Sequence, residues 1–74
     1  MVKEKVTLTF QEGSSNKYYT ICIDEQDGKF YVPFTYGRIG TDGQSGFKAE
    51  AVSYEDAKKA YDKMVKEKTK KGYT

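Results

Sequence analysis

Apolar and polar residues alternate along the first half of the chain, a pattern that predicts β-strands. The predicted strands cover residues 6–10, 18–23, 30–36 and, after a glycine-rich stretch, roughly 47–52. Residues 12–16 have the composition of a turn, and Asp27-Gly28 is a strong signal for a tight hairpin. The pattern therefore predicts an antiparallel sheet of about four strands.

The faces of the predicted strands can be assigned from the same alternation. In the second strand Tyr19, Ile21 and Ile23 share one side. In the third strand one side carries Phe30, Val32, Phe34 and Tyr36. Pro33 has no N–H to donate to a neighbouring strand, so we expect this strand to be an edge or to be bulged at that point.

The last element is predicted to be a helix over about residues 53–70. Ser53 suits the N-cap, Glu55 and Asp56 place negative charge in the first turn, and Gly72 suits the C′ position. Apolar residues spaced for one helical face follow the cap: Ala57, Ala60, Tyr61, Met64 and Val65. We expect this stripe to pack on the sheet, which gives an α+β fold.

The composition limits the kinds of function that the chain can have. The 74 residues are enough for one domain, 1–74, and include 11 aromatic residues, seven Tyr and four Phe. No segment is apolar enough to span a membrane or to form the core of a signal peptide. With Cys22 as the single cysteine and no histidine, we expect no disulfide, no metal site and no Ser-His or Cys-His catalytic pair. We therefore expect a cytoplasmic protein that is not an enzyme and has no cofactor.

Positive charge is concentrated at the C-terminal end of the chain. Residues 1–38 carry five Lys or Arg and five Asp or Glu, which sum to zero. Residues 53–74 carry seven Lys and four Asp or Glu, which sum to +3. The excess would attract a polyanion, although a solvated helix face has the same composition.

The glycine-rich stretch holds the strongest candidate for a binding site. Glycines recur at positions 37, 40, 43 and 46, without the spacing of a dinucleotide or phosphate-binding loop. Tyr36 and Arg38 are two apart at the end of a strand, so their side chains start on the same face. An exposed pair of this kind would stack on a base or sugar and hold a phosphate. The alternative is that Tyr36, which shares parity with Phe34, ends the core.

These residues resemble a known family. An aromatic residue followed by Gly-Arg-Ile-Gly-Thr at 37–41 is similar to the signature of the WGR domain, in which the aromatic is tryptophan. Residues 12–19, 40–45 and 67–73 resemble, in order, the segment entering the family's second strand, its glycine loop and the end of its helix. The resemblance covers nearly the whole chain and departs from the signature at Tyr36.

The resemblance implies an antiparallel sheet crossed by one helix, and a role in binding DNA. WGR domains occur in DNA-break-sensing poly(ADP-ribose) polymerases, where they bind near a strand break, and in bacterial proteins. It implies a stacking role for Tyr36 and a phosphate or partner contact for Arg38. Supporting contacts would come from Asn16, Lys17 and Tyr73, with Lys70 and Lys71 in the basic C-terminal segment.

The expected function is a non-catalytic module that binds nucleic acid, chiefly DNA ends or nicks. Two alternatives remain open. The first is a protein-interaction adaptor that uses the glycine loop or the edge strand near Pro33. The second is single-stranded RNA binding on exposed tyrosines of the sheet such as Tyr18 or Tyr31.

Overall fold

The computed structural model describes residues 1–74 and contains one antiparallel sheet and one helix. The elements are β1 (Val2–Glu12), β2 (Ser15–Gln26), β3 (Lys29–Tyr31), β4 (Pro33–Arg38), β5 (Gln44–Phe47) and α1 (Tyr54–Lys70). The order in the sheet is β1-β2-β4-β5, and β3 pairs with β2. This is the α+β architecture that the sequence predicts. No helix of the structure has the length and apolarity needed to cross a bilayer.

The two predicted turns are confirmed, and the first two strands, β1 and β2, are longer than predicted. β1 and β2 pair from Val2 to Glu12, including polar ends that do not alternate in sequence. Asp27 and Gly28 have φ values of 53° and 80°. Two successive residues with positive φ are typical of the tight turn that matches the twist of a hairpin, which explains the Asp-Gly pair.

The predicted third strand is divided at Val32. The N–H of Val32 donates to the carbonyl of Ala49 (2.9 Å), and its own carbonyl accepts from the N–H of Lys48 (2.8 Å). The ladder to β2 resumes after Pro33, which has no N–H to contribute. The expected irregularity at Pro33 is therefore present, but the expectation of an edge is wrong, because β4 lies between β2 and β5.

The predicted fourth strand is displaced along the chain. The ladder with β4 covers Gln44–Phe47, three residues earlier than the predicted start. The following residues run beside β3 through isolated contacts, such as the pair of bonds between Phe30 and Val52 (2.9 and 3.0 Å). Ala51 has a φ of 54°, which a regular strand does not allow. The chain therefore leaves the sheet here in order to reach the helix.

The core lies between α1 and one face of the sheet. The buried residues that form it are Tyr19, Ile21, Ile23 and Val32 from the sheet and Ala57 and Tyr61 from the helix. Ala60, Met64 and Val65 pack against them, so the predicted apolar stripe is confirmed. The Ser53 hydroxyl accepts a hydrogen bond from the N–H of Asp56, which confirms the predicted N-cap. The face of the sheet opposite α1 is not covered by any other element.

A polar cluster ties β1 to the first half of the helix. Glu4 accepts hydrogen bonds from the hydroxyl of Tyr54 (2.9 Å) and from the ammonium of Lys58 (2.7 Å). Lys58 also forms an ion pair with Asp62 at 3.4 Å. The hydrogen bond from Lys58, and then the one from Tyr54, hold the pKa of Glu4 below its ordinary value.

Ala57 gives a direct test of the helix–sheet packing. Its side chain is fully buried. We expect Ala57→Asp to abolish cooperative thermal unfolding, because a buried unpaired carboxylate costs several kcal/mol and a domain of this size has a stability of only about 3–5 kcal/mol. Lys66→Asp, on the exposed side of the same helix, should retain a cooperative transition. Unfolding is monitored by circular dichroism. A cooperative transition in Ala57→Asp would show that the helix face that packs on the sheet has been assigned wrongly.

The hydrogen bonds of Glu4 predict part of the loss of folding stability at acid pH. A carboxylate whose pKa is lowered in the folded state stabilises the fold above its unfolded pKa, near 4.5 for Glu4, and this contribution is lost as pH falls through the folded value. Chemical denaturation of Glu4→Gln should therefore show a shallower loss of stability between about pH 5 and pH 3. Glu50→Gln, at an exposed position with no such partners, should retain the wild-type slope, and an unchanged slope in Glu4→Gln would contradict the assignment.

Candidate functional site

A cavity of about 440 Å³ opens where the start of β2, the end of β4 and the end of the helix meet. We call it the basic cavity. Its lining residues are Ser15, Asn16, Lys17, Tyr36, Gly37, Arg38, Lys68 and Tyr73. Five of these were predicted from the sequence as site residues: Asn16, Lys17, Tyr36, Arg38 and Tyr73. The structure thus brings together residues that lie more than 50 positions apart in the chain.

The register of β2 against β4 places the cavity on the helix-bearing face. Lys17 pairs with Arg38, and Tyr19 pairs with Tyr36. Since alternate residues of a strand point to the same face, Tyr36 and Arg38 lie on the face of the buried Tyr19. Arg38 itself is exposed, and one of its Nη atoms donates to the carbonyl of Ser14 at 3.4 Å. The remaining guanidinium donors are free to contact a ligand.

The sequence left open whether Tyr36 ends the core or is exposed for binding, and the structure shows both features. Its ring stacks with Tyr19 (centroids 6.3 Å apart) and with Phe34 (5.9 Å), so it continues the core. It is nevertheless 41% exposed. Its hydroxyl donates to the Oε1 of Gln44 at 3.1 Å, which fixes the ring against β5. The ring is therefore held by protein contacts on one side and open to a ligand on the other.

The glycine loop holds the end of β4 through close backbone contacts. A Cβ on Gly37 would lie 2.7 Å from the Cα of Gly43. A Cβ on Gly43, whose φ is +69°, would overlap the carbonyl oxygen of Tyr36 and the hydroxyl of Tyr18. That hydroxyl donates to the carbonyl of Thr41 at 3.2 Å. The glycines thus allow the loop to fold back onto β4, and Tyr18 supports the loop from the open face of the sheet.

The end of the helix is fixed by a Schellman motif. Gly72, with a φ of +102°, lies at C′ as predicted, and the N–H groups of Gly72 and Tyr73 donate to the carbonyls of Thr69 (3.1 Å) and Lys68 (3.0 Å). Thr74 then exchanges two backbone hydrogen bonds of 2.8 Å with Thr9 in β1. These bonds hold the Tyr73 ring in the wall of the basic cavity.

The cations of the basic cavity have no carboxylate partner. Lys17, Arg38 and Lys68 form no ion pair, and no acidic residue lines the cavity. The ammonium of Lys68 lies over aromatic rings instead, 4.8 Å from the centroid of Tyr19 and 5.6 Å from that of Tyr73. Burial, and then the charges of Lys71 and Lys48, lower the pKa of Lys68. The cavity therefore presents unneutralised positive charge.

The remaining site residues predicted from the sequence lie farther out. Lys71 lines a neighbouring depression of about 300 Å³ together with Phe10, Lys17, Lys68 and Tyr73. Lys70 is exposed and lines none of the cavities, so the structure does not bring it together with the others.

Sequence reasoning missed Ser15 and Lys68 as residues of the site. The sequence indicates Ser15 only as part of a turn within the segment 12–19, with no pattern that singles out its side chain. For Lys68 a signal existed: it follows Tyr61 and Met64 at i+7 and i+4, so it continues the apolar stripe. That spacing directs the ammonium toward the sheet.

Other groups that the sequence offered have structural partners. Asp24 binds the N-terminal ammonium of Met1 at 2.9 Å, and Glu25 pairs with Lys3 at 3.1 Å. The structure contains no group of three or more carboxylate or thiol residues placed to hold a metal ion. Burial raises the pKa of the Cys22 thiol, which makes it a poor nucleophile.

Comparison with known proteins gives one family and one relative. Residues 4–74 match the WGR domain family. The chain is 35% identical over 63 residues to human protein mono-ADP-ribosyltransferase PARP3, an alignment that covers 84% of this chain and 12% of that protein. The chain thus spans about one-eighth of the length of this relative. No solved structure matches the chain.

The loop geometry predicts unequal effects of two glycine substitutions. Gly43→Ala should lower the melting temperature by at least about 4–8 °C, because a left-handed residue with no room for a Cβ loses about 1 kcal/mol or more. Gly40→Ala is the matched control: its φ is +94°, but no atom lies within 4 Å of the added Cβ. Gly40→Ala should therefore lower the melting temperature by less than Gly43→Ala. Equal decreases in melting temperature would mean that the close contact of Gly43 with Tyr36 and Tyr18 does not affect stability.

Proposed function

The chain belongs to the WGR domain family, and from this membership we propose that it is a non-catalytic module that binds nucleic acid. The observation that carries the proposal is the basic cavity. It combines three cations that lack carboxylate partners with an aromatic ring that is 41% exposed. Guanidinium and ammonium groups bind phosphate, and an exposed ring stacks on a sugar or base.

The finer proposal is that the preferred ligand is a DNA end or nick. A cavity of about 440 Å³ has the size of a small-molecule site, which suits one terminal nucleotide and is too small for a base pair within a continuous duplex. At an end or nick, a base or sugar face that stacking covers elsewhere in the duplex is accessible next to a backbone phosphate. Tyr36 would contact the sugar or base, and Arg38 with Lys17 would contact the phosphate. None of these contacts distinguishes one base from another, so binding would be independent of sequence.

The proposal is tested by titrating labelled nicked, blunt-ended and intact duplex DNA at two salt concentrations. We expect the nicked and blunt duplexes to bind more tightly than the intact one, and all binding to weaken with salt. Arg38→Ala should weaken binding by at least about tenfold and reduce the salt slope by about 0.9 for each phosphate contact that is lost. Tyr36→Ala should weaken it by about 1–3 kcal/mol. Matched controls are Lys66→Ala and Phe47→Ala, at exposed positions away from the cavity.

The other outcomes are equally informative. Unchanged DNA binding in both Arg38→Ala and Tyr36→Ala would show that the site is placed wrongly. Binding to a protein partner that persists at high salt, with no binding to DNA, would support the adaptor function at the glycine loop. Tighter binding to single-stranded RNA than to any duplex would support RNA binding by the tyrosines on the open face of the sheet.

A further inference from the structure

A second cleft shares Tyr36 and Lys68 with the basic cavity. It has a volume of about 330 Å³ and lies between the aromatic rings of the sheet and the helix. We call it the ring cleft. Its lining residues are Tyr19, Phe34, Tyr36, Lys48, Met64 and Lys68. Because Tyr36 and Lys68 line both cavities, the two cavities lie next to each other.

Two ammonium groups lie over the rings of this cleft. The Nζ of Lys48 is 4.7 Å from the centroid of Phe34, and that of Lys68 is 4.8 Å from the centroid of Tyr19. Neither ammonium forms an ion pair or a hydrogen bond. Glu67 is the carboxylate near Lys68 and only partly offsets the lowering of the Lys68 pKa by burial and by the neighbouring lysines. It comes within ion-pair distance of neither Lys48 nor Lys68. The cleft therefore has two positive charges that are not neutralised.

The hydroxyl of Tyr19 also lacks a partner. The residue is 2% exposed, and its hydroxyl oxygen is buried without a hydrogen bond. Burial, and then the neighbouring Glu67 and Tyr36, raise its pKa to about 12, so the hydroxyl keeps its proton at neutral pH. Buried polar groups in folded proteins almost always have a partner. A protonated hydroxyl without an acceptor, on a ring that lines a cleft with two unpaired ammonium groups, points to a missing acceptor that carries negative charge.

We propose that the ring cleft binds a phosphate group adjacent, on the same nucleic-acid strand, to the phosphate held in the basic cavity. This inference rests on the proposed function and adds a second subsite to it. Within a strand every nucleoside has one phosphate on each side, and at an end or nick the same holds for a terminal nucleoside that carries a 5′-phosphate. The protein places cations in both cavities, and Tyr36 lines both: Arg38 and Lys17 belong to one cavity and Lys48 to the other. Lys68 lines both and would contact either phosphate.

The test compares two thymidine nucleotides that differ in where their phosphates lie. Thymidine 3′,5′-bisphosphate has one phosphate on each side of the nucleoside, whereas thymidine 5′-diphosphate has both on one side. Inorganic phosphate at matched ionic strength is the third probe. Affinities are measured by NMR titration of the full chain, with the methyl signal of Met64 as the reporter of the ring cleft. We expect the bisphosphate to bind about five- to tenfold more tightly than the diphosphate and to shift the Met64 signal.

Three variants identify the groups that produce this preference. Lys48→Met should remove the preference for the bisphosphate, because Lys48 lines the ring cleft and not the basic cavity. Tyr19→Phe removes the hydroxyl without changing the charge or the ring, and should reduce the preference several-fold in a folded protein. Lys66→Met is the matched control: it removes the same charge from an exposed position outside both cavities and should leave the preference intact.

Failure of this inference is distinguishable from failure of the proposed function. Equal affinities for the two nucleotides, or a preference that survives in Lys48→Met and Tyr19→Phe, would overturn the second subsite even if nicked DNA binds through Arg38. A Met64 shift produced equally by inorganic phosphate would show that an adventitious ion, not a strand, occupies the cleft. If neither nicked DNA nor either nucleotide binds, the proposed function itself fails and the subsite with it.

Discussion

The pairing of β2 with β4 is the interaction on which the core and the candidate site both depend. It sets Tyr19 opposite Tyr36 and Lys17 opposite Arg38 on the face that the helix covers. A slip of β4 by one residue would turn Tyr36 and Arg38 to the open face. The core residues Ile21 and Phe34 belong to the same ladder, so burial of the core enforces the register and thereby holds the site in place.

The site exists because the helix does not cover the whole of this face. A helix of 17 residues is about 25 Å long, and it ends beside the rings of Tyr19 and Tyr36. The end of a helix carries negative partial charge, which would repel a phosphate. Here the carbonyls of Glu67, Lys68 and Thr69 are satisfied by the N–H groups that follow the helix. In the proposed function, the cap and the lysines of the last turn offset the negative partial charge of the helix end.

Features that depend on residues close together in the sequence were predictable, and features that depend on which distant segments pack together were not. Ser53, Gly72 and the apolar stripe fix the helix through caps and periodicity, and Asp27-Gly28 fixes a turn, so all of them were predicted correctly. The displaced fourth strand depends on Val32, which bonds to Ala49 and not to β2. The exposure of Tyr36 depends on where the helix ends relative to the sheet. Neither feature produces a periodic pattern in the sequence. Lys68 does, because its helical spacing from Tyr61 and Met64 places it on the apolar stripe.

The aromatic rings around the two cavities explain how a small domain can keep unpaired cations. A carboxylate partner would neutralise Lys68 and Lys48 more completely, but it would also occupy their N–H donors and repel a phosphate. A ring offsets part of the cost of burying the ammonium, by about 0.5–1 kcal/mol at exposed sites, and leaves those donors free. The same rings of Tyr19 and Phe34 are part of, or pack against, the hydrophobic core. Stacked tyrosines and phenylalanine therefore support folding and, in the proposed function, anion binding as well, which is consistent with a candidate site that is basic and aromatic but contains no acid.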